Sequence, residues 1–447
     1  MELLQSIVNA VLGLGSQVFL PVVMILVGLL VKMKFRDAFS AGLTLGVAFV
    51  GMGAIIGFMF GFISPAAEAL VNNTGIQLTA IDVGWSPLAS IAWAWPYAFI
   101  LFPIQIIVNM VMIALNKTNT LNVDLWNVWN KILTAVMVVA VSGSVVAAMV
   151  VGTIQVVFEL WNADLTQKQV QKTTGIPGVS VPHSMMMFAV VLNPFNKILE
   201  KIPGLNMDID AQTLKDKIGV FAENHVMGFI IGTLIGFAAG YAPVAAVNLG
   251  ISTGTALTLF PMVAKLFMVA LSPISDAAGE FMKSKFPGRE FYIGLDWPIL
   301  AGSAELWVTA VLLVPVMLIF AIILPGNNVL PMGGIVNICL VAPLLIITGG
   351  NIVRMVILGI MSTPIFLYVG TLLAPTITDL ARTTGTYDVP AGQMISWASM
   401  EMPVFRYVFS QASDVINGNF IGLIFLAVWG GLWFLYVKEW NVRNKEL

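Results

Sequence analysis

Long runs of apolar side chains, almost free of charge, recur along the whole chain. They lie near residues 8–31, 40–63, 91–115, 132–159, 226–246, 249–271, 307–324, 335–348, 352–374 and 419–437. Crossing a hydrocarbon layer takes about 20 mostly apolar residues in a helix. Across 447 residues only 10% are charged and 58% are hydrophobic, whereas a soluble domain carries roughly 25% charged residues. The predicted fold class is an all-α polytopic membrane protein, read as one integral unit over 1–447 in a lipid bilayer. The first run has no basic stretch before it and no cleavage pattern after it, so it reads as a retained helix.

Basic residues cluster at Lys32, Lys34 and Arg36, then at Lys197, Lys201, Lys215 and Lys217. Further clusters are Lys283, Lys285 and Arg289, and Lys438, Arg443 and Lys445. Short cytoplasmic loops hold an excess of Lys and Arg. With all four clusters inside, the N-terminus is outside and the C-terminus is cytoplasmic. The number of spans is then odd, and about 11 transmembrane helices fit. A net charge of −2 gives no footing for nucleic acid. The single cysteine, Cys339, lies in an apolar run and has neither a disulfide partner nor metal-ligand spacing.

Two segments are too short and too broken to be ordinary spans. Residues 175–204 carry Pro177, Pro182 and Pro194, and residues 288–305 carry Gly294, Pro298 and Gly302. Interrupted apolar segments point to a transport site, since irregular backbone at membrane depth is tolerated only inside protein or beside water. Both are expected to be re-entrant hairpins lining a cavity, the alternative being apolar cytoplasmic loops. Leu192-Asn193-Pro194 and Leu271-Ser272-Pro273 each open a basic stretch, and glycines recur every fourth residue at 53–61 and again at 228–240. These similarities suggest two related halves; the glycines alone fit ordinary helix packing. Residues 376–418 are polar and are expected to form an external loop.

Ionisable and amide side chains at membrane depth are costly and mark pathways or sites. His183, followed by Ser184, sits in the first broken segment and suits a sugar hydroxyl, because neutral imidazole both donates and accepts. Asp296 sits in the second; it is read as an acceptor for hydroxyls and a possible general base, or as a helix cap. Glu223 and His225 precede a glycine-rich helix, and Asp82 precedes a span where capping is the simpler role. In Asn122–Asn130, helical spacing puts Asn127 and Asn130 on one face and Trp126 and Trp129 on another. Amides beside aromatic rings suit a polyol; an interfacial aromatic belt is the alternative. Asn351 and Arg354 adjoin long apolar runs. No G-x-x-x-x-G-K-S/T loop, zinc spacing or G-x-S-x-G elbow is present, so ATP-driven pumping by this chain and hydrolase chemistry are not expected. No cofactor and no metal are expected.

The chain resembles the galactitol-type enzyme IIC subunits of the bacterial sugar phosphotransferase system, which are similar to the ascorbate-specific ones. The resemblance rests on DVGW at 82–85, NVDLWNVWN at 122–130, the stretch ending VPH at 181–183 and KIPG at 201–204. It continues with FYIGLD at 291–296, LPGNNVLP at 324–331 and GGNIVR at 349–354. It implies uptake of a polyol across the bacterial inner membrane, coupled to phosphorylation by a separate phosphocysteine-bearing enzyme IIB that is recharged by enzyme IIA. It further implies a homodimer with core (transport) and gate (scaffold) domains and elevator-like motion. His183 and Asp296 would lie at the hairpin tips, with Asn127, Asn130 and Asn351 lining the site. The rival expectations are an H⁺- or Na⁺-coupled secondary transporter and a membrane receptor without flux.

Overall fold

The computed structural model describes residues 16–73, 78–205, 220, 223–285, 289–331, 341–389 and 391–446. The start of the first apolar run, Lys215, Lys217, Gly288, Cys339 and the start of the run at 335–348 lie outside the described residues.

The chain is mostly helical. Helices α1 (Ser16–Leu30) and α2 (Phe35–Asn72) lead to strand β1 (Ala80–Asp82). Helices α3 (Trp85–Trp93) and α4 (Ala98–Ala114) follow, then β2 (Thr120–Asn122), α5 (Val128–Ser142), α6 (Val145–Thr174) and β3 (Val179–Ser180). A 3-10 turn (Ser184–Phe188) runs into α7 (Ala189–Glu200). The second part repeats this order. Helices α8 (Asn224–Ala238) and α9 (Pro243–Lys285) lead to β4 (Tyr292–Gly294) and a 3-10 turn (Trp297–Gly302), then α10 (Ala304–Ile323) and β5 (Val329–Leu330). Helices α11 (Ala342–Thr348) and α12 (Ile352–Thr384) lead to β6 (Met394–Ser396), a π-helical turn (Met402–Phe409) and α13 (Ile421–Glu446).

Local chemistry sets the ends of these elements. Ser144 accepts from Ala147 N at 3.2 Å to open α6, and Gly175 closes it with φ 70°, a left-handed cap that glycine takes without strain. Asn351 opens α12 by accepting from Arg354 N at 3.0 Å.

Among the described residues five helices are long and apolar enough to cross a membrane: residues 35–55 of α2, and α6, α10, α12 and α13. The bent pair α3 and α4, turned by 98°, makes a sixth if counted as one span.

The helical architecture expected from the sequence holds, and among the described residues it also carries six short strands in two parallel sheets, ordered β5-β1-β6 and β2-β4-β3. Each sheet takes two strands from one half of the chain and its central strand from the other. Matching the central strands by register puts Ile81 on Ile293, Trp85 on Trp297, Leu88 on Leu300 and Ala89 on Ala301. The same operation puts Ser180 of β3 on Ser396 of β6. The internal repeat is therefore real, but its pairing differs from the sequence expectation. Segment 175–204 matches the chain around β6, and 288–305 matches the chain around β1. Leu192–Pro194 lie in α7, whereas Leu271–Pro273 lie inside α9, and the two are not equivalent.

Residues 376–418, expected as an external loop, are largely structured and packed into the protein. They finish α12, add β6 to a sheet and bury Trp397, Glu401, Phe405 and Arg406. Aromatic and aliphatic neighbours made this segment cheap to bury once its two buried charges, Glu401 and Arg406, found partners.

Helices α1, α2, α8 and α9 pack as a bundle. Along the α8–α9 seam, a Cβ on Gly228 would lie 2.6 Å from Gly254 Cα, so only glycine allows that approach. The other glycine series has no such role here: a Cβ on Gly53, Gly57 or Gly61 would meet nothing within 4 Å. The bundle seats chiefly on the turn Trp297–Gly302 and on α10; no contact of comparable extent among the described residues joins it to α3.

Candidate functional site

Parallel strands end side by side, so residues just past their C-terminal ends converge. In the β2-β4-β3 sheet those residues are Asp124 to Asn130 after β2, Asp296 after β4, and His183 and Ser184 after β3. His183 Nε2 lies 3.5 Å from Asp296 Oδ1 and 3.3 Å from Asn130 Nδ2. Met185 N–H donates to His183 Nδ1 at 3.3 Å. Nε2 thus sits between a carboxylate acceptor and an amide donor, and the ring's tautomer sets which of the two it engages. Asp296 also accepts from Trp297 N at 2.7 Å, so it caps the turn as well. The His183 and Asp296 side chains are 4% and 15% exposed, which leaves only the carboxylate a way out to solvent or solute.

Asn127 Nδ2 donates to Asp124 Oδ2 at 2.7 Å, and Trp129 Nε1 donates to Asn127 Oδ1 at 2.9 Å. Ser184 Oγ donates to Glu401 Oε2 at 2.8 Å, and Glu401 pairs with Arg406 at 3.2 Å. Arg406 also donates to the Glu401 carbonyl at 2.7 Å and to Asn130 Oδ1. Beside them Lys131 pairs with Glu159 at 2.5 Å, and Gln155 donates to Glu159 at 2.7 Å. Unpaired buried charge is very costly; here the cations Lys131 and Arg406 each hold a carboxylate. The arrangement offers donors and acceptors at hydrogen-bond spacing in a buried interior, which is what a polyhydroxy solute needs when it leaves water.

His183, Ser184, Asp296, Asn127 and Asn130 are thus brought together. Trp126 is not among them: it packs against Phe99, and Trp129 takes the inward position. Asp82 accepts from Gly84 N at 2.9 Å and from Ala398 N at 3.1 Å, tying β1 to the chain after β6. Glu223 and His225 pair at 3.4 Å, well exposed, at the start of α8 in the bundle. Asn351 caps α12, and Arg354 binds Asn196 Oδ1 at 3.1 Å, Glu200 Oε1 at 2.9 Å and the Thr348 carbonyl at 3.0 Å. Glu200 closes α7, whose 12 residues carry it about 18 Å from the end that adjoins His183. Asn351 therefore stands apart from the His183 cluster.

Sequence reasoning missed Asp124, Lys131, Glu159, Glu401 and Arg406. The available signal was charge: Lys131 and Glu159 flank an apolar run, and Glu401 and Arg406 stand among aromatic residues. Among the described residues no group of three or more His, Cys, Asp and Glu is placed to hold a metal ion.

A repeated helical fold with membrane-length helices and a buried hydrogen-bonding cluster at converging strand ends is that of a multi-pass membrane protein. The family model described as PTS system sugar-specific permease component matches residues 10–392, and the chain belongs to that family. It is 33% identical over 402 residues to the "PTS system galactitol-specific EIIC component" of Escherichia coli (strain K12), covering 89% of this chain and 88% of that relative. A "Putative permease IIC component" of the same organism is 32% identical over 408 residues, covering 88% of this chain and 92% of the relative.

Proposed function

We propose that this chain takes up galactitol or a closely related alditol and presents it for phosphorylation by a separate enzyme IIB, with enzyme IIA upstream. The observation that carries this reading is the His183–Asp296 pair, 3.5 Å apart at adjoining strand ends in the interior. The galactitol-specific name of an Escherichia coli relative supports the substrate class.

Asp296 takes the proton of the reacting hydroxyl as its oxygen attacks the phosphorus carried on the IIB cysteine. The S–P bond breaks, a thiolate leaves on IIB, and the alditol phosphate is released into the cytoplasm. His183, in the tautomer that carries its proton on Nε2, orients Asp296, while Asn127, Asn130 and Ser184 engage further hydroxyls. Pairing these groups with a matched solute lowers the cost of moving them through the protein.

The same reading includes about eleven spans in a bacterial inner membrane, with the N-terminus outside and the C-terminus cytoplasmic. Segments 175–204 and 288–305 are its re-entrant hairpins. The two-sheet body serves as the core domain, which rides elevator-like against a gate formed by the bundle α1, α2, α8 and α9, in a homodimer.

The test is phosphoenolpyruvate-dependent conversion of labelled galactitol in vesicles bearing the chain, with the general phosphotransferase proteins, IIA and IIB supplied. Galactitol phosphate inside the vesicles, absent without IIB, is the expected result. Uptake of unmodified solute that ignores IIB and stops with an uncoupler would overturn it.

A further inference from the structure

We propose that Trp85, Trp129 and Trp397 form a second part of the solute site, a row of indole faces that receives the carbon chain of an open-chain polyol on its way to the His183–Asp296 pair. This rests on the alditol reading above and adds the residues that hold the apolar side of the solute.

The three indoles come from three strand ends. Trp85 follows β1, Trp129 follows β2 and Trp397 directly follows β6, so both sheets contribute. Ring centroids are 6.1 Å apart between Trp85 and Trp129, and 6.0 Å between Trp129 and Trp397, with tilts of 33° and 36°. Exposure falls inward along the row, from 45% at Trp85 to 3% at Trp129 and 0% at Trp397. The inner end joins the polar cluster twice. Trp129 donates to Asn127, and the Arg406 guanidinium carbon sits 5.8 Å from the Trp129 ring and 5.4 Å from the Trp397 ring. Arg406 in turn donates to Asn130, whose amide reaches His183.

Core packing alone accounts for two buried indoles in contact. Trp397 Nε1 adds a fully buried N–H with no hydrogen-bond partner; Trp93, Trp429 and Trp440 carry the same, but Trp397 is the one of these four that belongs to the row beside the polar cluster. Buried donors are nearly always satisfied, so an orphan donor one ring away from the site marks a place for an acceptor such as a hydroxyl oxygen.

The repeat adds an independent argument. The residue matching Trp85 in the other half is Trp297, which is 9% exposed and lies in the turn on which α9 is seated. The same structural position is covered on one side of the molecule and open on the other. The open one leads along the indoles to Asn127 and Asn130.

The ligand chemistry follows. An alditol presents C–H bonds polarised by neighbouring oxygens, and an aromatic face is negative at its centre. Neighbouring rings in mutual contact leave no gap for an inserted chain, and Trp129 and Trp397 are buried, so the solute meets the exposed Trp85 face first and the inner indoles as it moves in. Its C–H edge faces the indoles and its hydroxyls face the amides and Trp397 Nε1.

The test is equilibrium binding of labelled galactitol, sorbitol and mannitol to the full chain in lipid nanodiscs, comparing wild type with Trp85→Ala, Trp85→Phe, Trp397→Phe and Asp296→Asn. Trp85→Ala should weaken alditol binding about three- to tenfold, the range expected for one aromatic contact. Trp85→Phe, which keeps an aromatic face, should stay within about twofold of wild type. Trp397→Phe, which removes only the N–H donor and ring area, should weaken binding about tenfold or less. Wild-type affinity in both Trp85→Ala and Trp397→Phe would overturn the row, and if Asp296→Asn then still loses binding, the alditol reading stands without it. Equal loss in Trp85→Ala and Trp85→Phe would assign Trp85 to folding and overturn its part in binding. Failure of wild type to bind any of the three alditols would remove both readings.

Discussion

Ser184 Oγ donates to Glu401 Oε2 at 2.8 Å, and this single bond joins the ends of β3 and β6, which lie in different sheets and in different halves of the chain. The two strands are counterparts in the repeat, with Ser180 matching Ser396. The site is therefore built where the halves meet: His183 and Asn130 from the first, Asp296, Glu401 and Arg406 from the second. On the proposed function, a solute held there would touch both halves, and its binding free energy would depend on how the halves are arranged, the requirement for coupling binding to movement.

Asp296→Asn keeps the size of the side chain and its cap on Trp297 N while removing the base. The protein should insert and unfold like wild type, because an amide oxygen still accepts at that position. Phosphorylation of the alditol should fall by about two to four orders of magnitude, the usual worth of a positioned general base. Single-turnover phosphoryl transfer from IIB checks it; a wild-type rate would remove Asp296 from the chemistry.

The ion pair Glu401–Arg406 gives a stability prediction. Both partners are almost completely buried, at 3% and 0% side-chain exposure. Arg406→Met leaves a buried carboxylate unpaired and should cost about 3–5 kcal/mol. Adding Glu401→Gln to Arg406→Met should recover part of that loss, since the orphan charge is gone. Thermal unfolding of the two variants in detergent measures the difference, and no recovery in the double variant would show that the pair is not what Arg406 stabilises.

The two glycine series separate in the same kind of experiment. Gly228→Ala places a Cβ 2.6 Å from Gly254 Cα, a backbone atom that cannot step aside. The α8–α9 seam must open, at about 1–3 kcal/mol for overpacking. Gly57→Ala meets nothing within 4 Å and should be neutral or stabilising by about 0.5–1 kcal/mol, as alanine is the better helix former. Thermal unfolding of the pair reads this directly; equal destabilisation would place an unseen partner against Gly57.

The membrane class was legible because burial in lipid imposes a composition on every span. His183 and Asp296 were legible as candidates because each interrupts an apolar stretch next to proline or glycine, and the structure brings them within 3.5 Å. The strands were not: two- and three-residue elements such as Val179–Ser180 hold no periodicity to read, and they exist only because a partner from the other half pairs with them. The same non-local pairing hid Glu401 and Arg406. In sequence they look like two charges in a polar loop, and only the closing of β6 onto β1 shows that they neutralise one another inside the protein. Trp85 and Trp297 could have been matched by eye, but Ile81 and Ile293, Leu88 and Leu300 become evidence of a repeat only after the register fixes the alignment.

Asn351 tests whether an amide next to a motif binds solute or shapes the backbone. Its Oδ1 accepts from Arg354 N at 3.0 Å, the geometry of a helix N-cap. Gly349 and Gly350 before it take φ 68° and 88°, so the chain breaks between α11 and α12 and needs a cap to restart. Its neighbour Arg354 is spent on Asn196, Glu200 and the Thr348 carbonyl, at the far end of α7 from His183. Asn351→Ala should therefore cost about 1 kcal/mol of stability, the worth of a cap, and Asn351→Ser should restore most of it. Alditol affinity should be unchanged in both. A loss of affinity in Asn351→Ser with stability intact would return Asn351 to the solute site and require the α11–α12 break to reach it in another conformation.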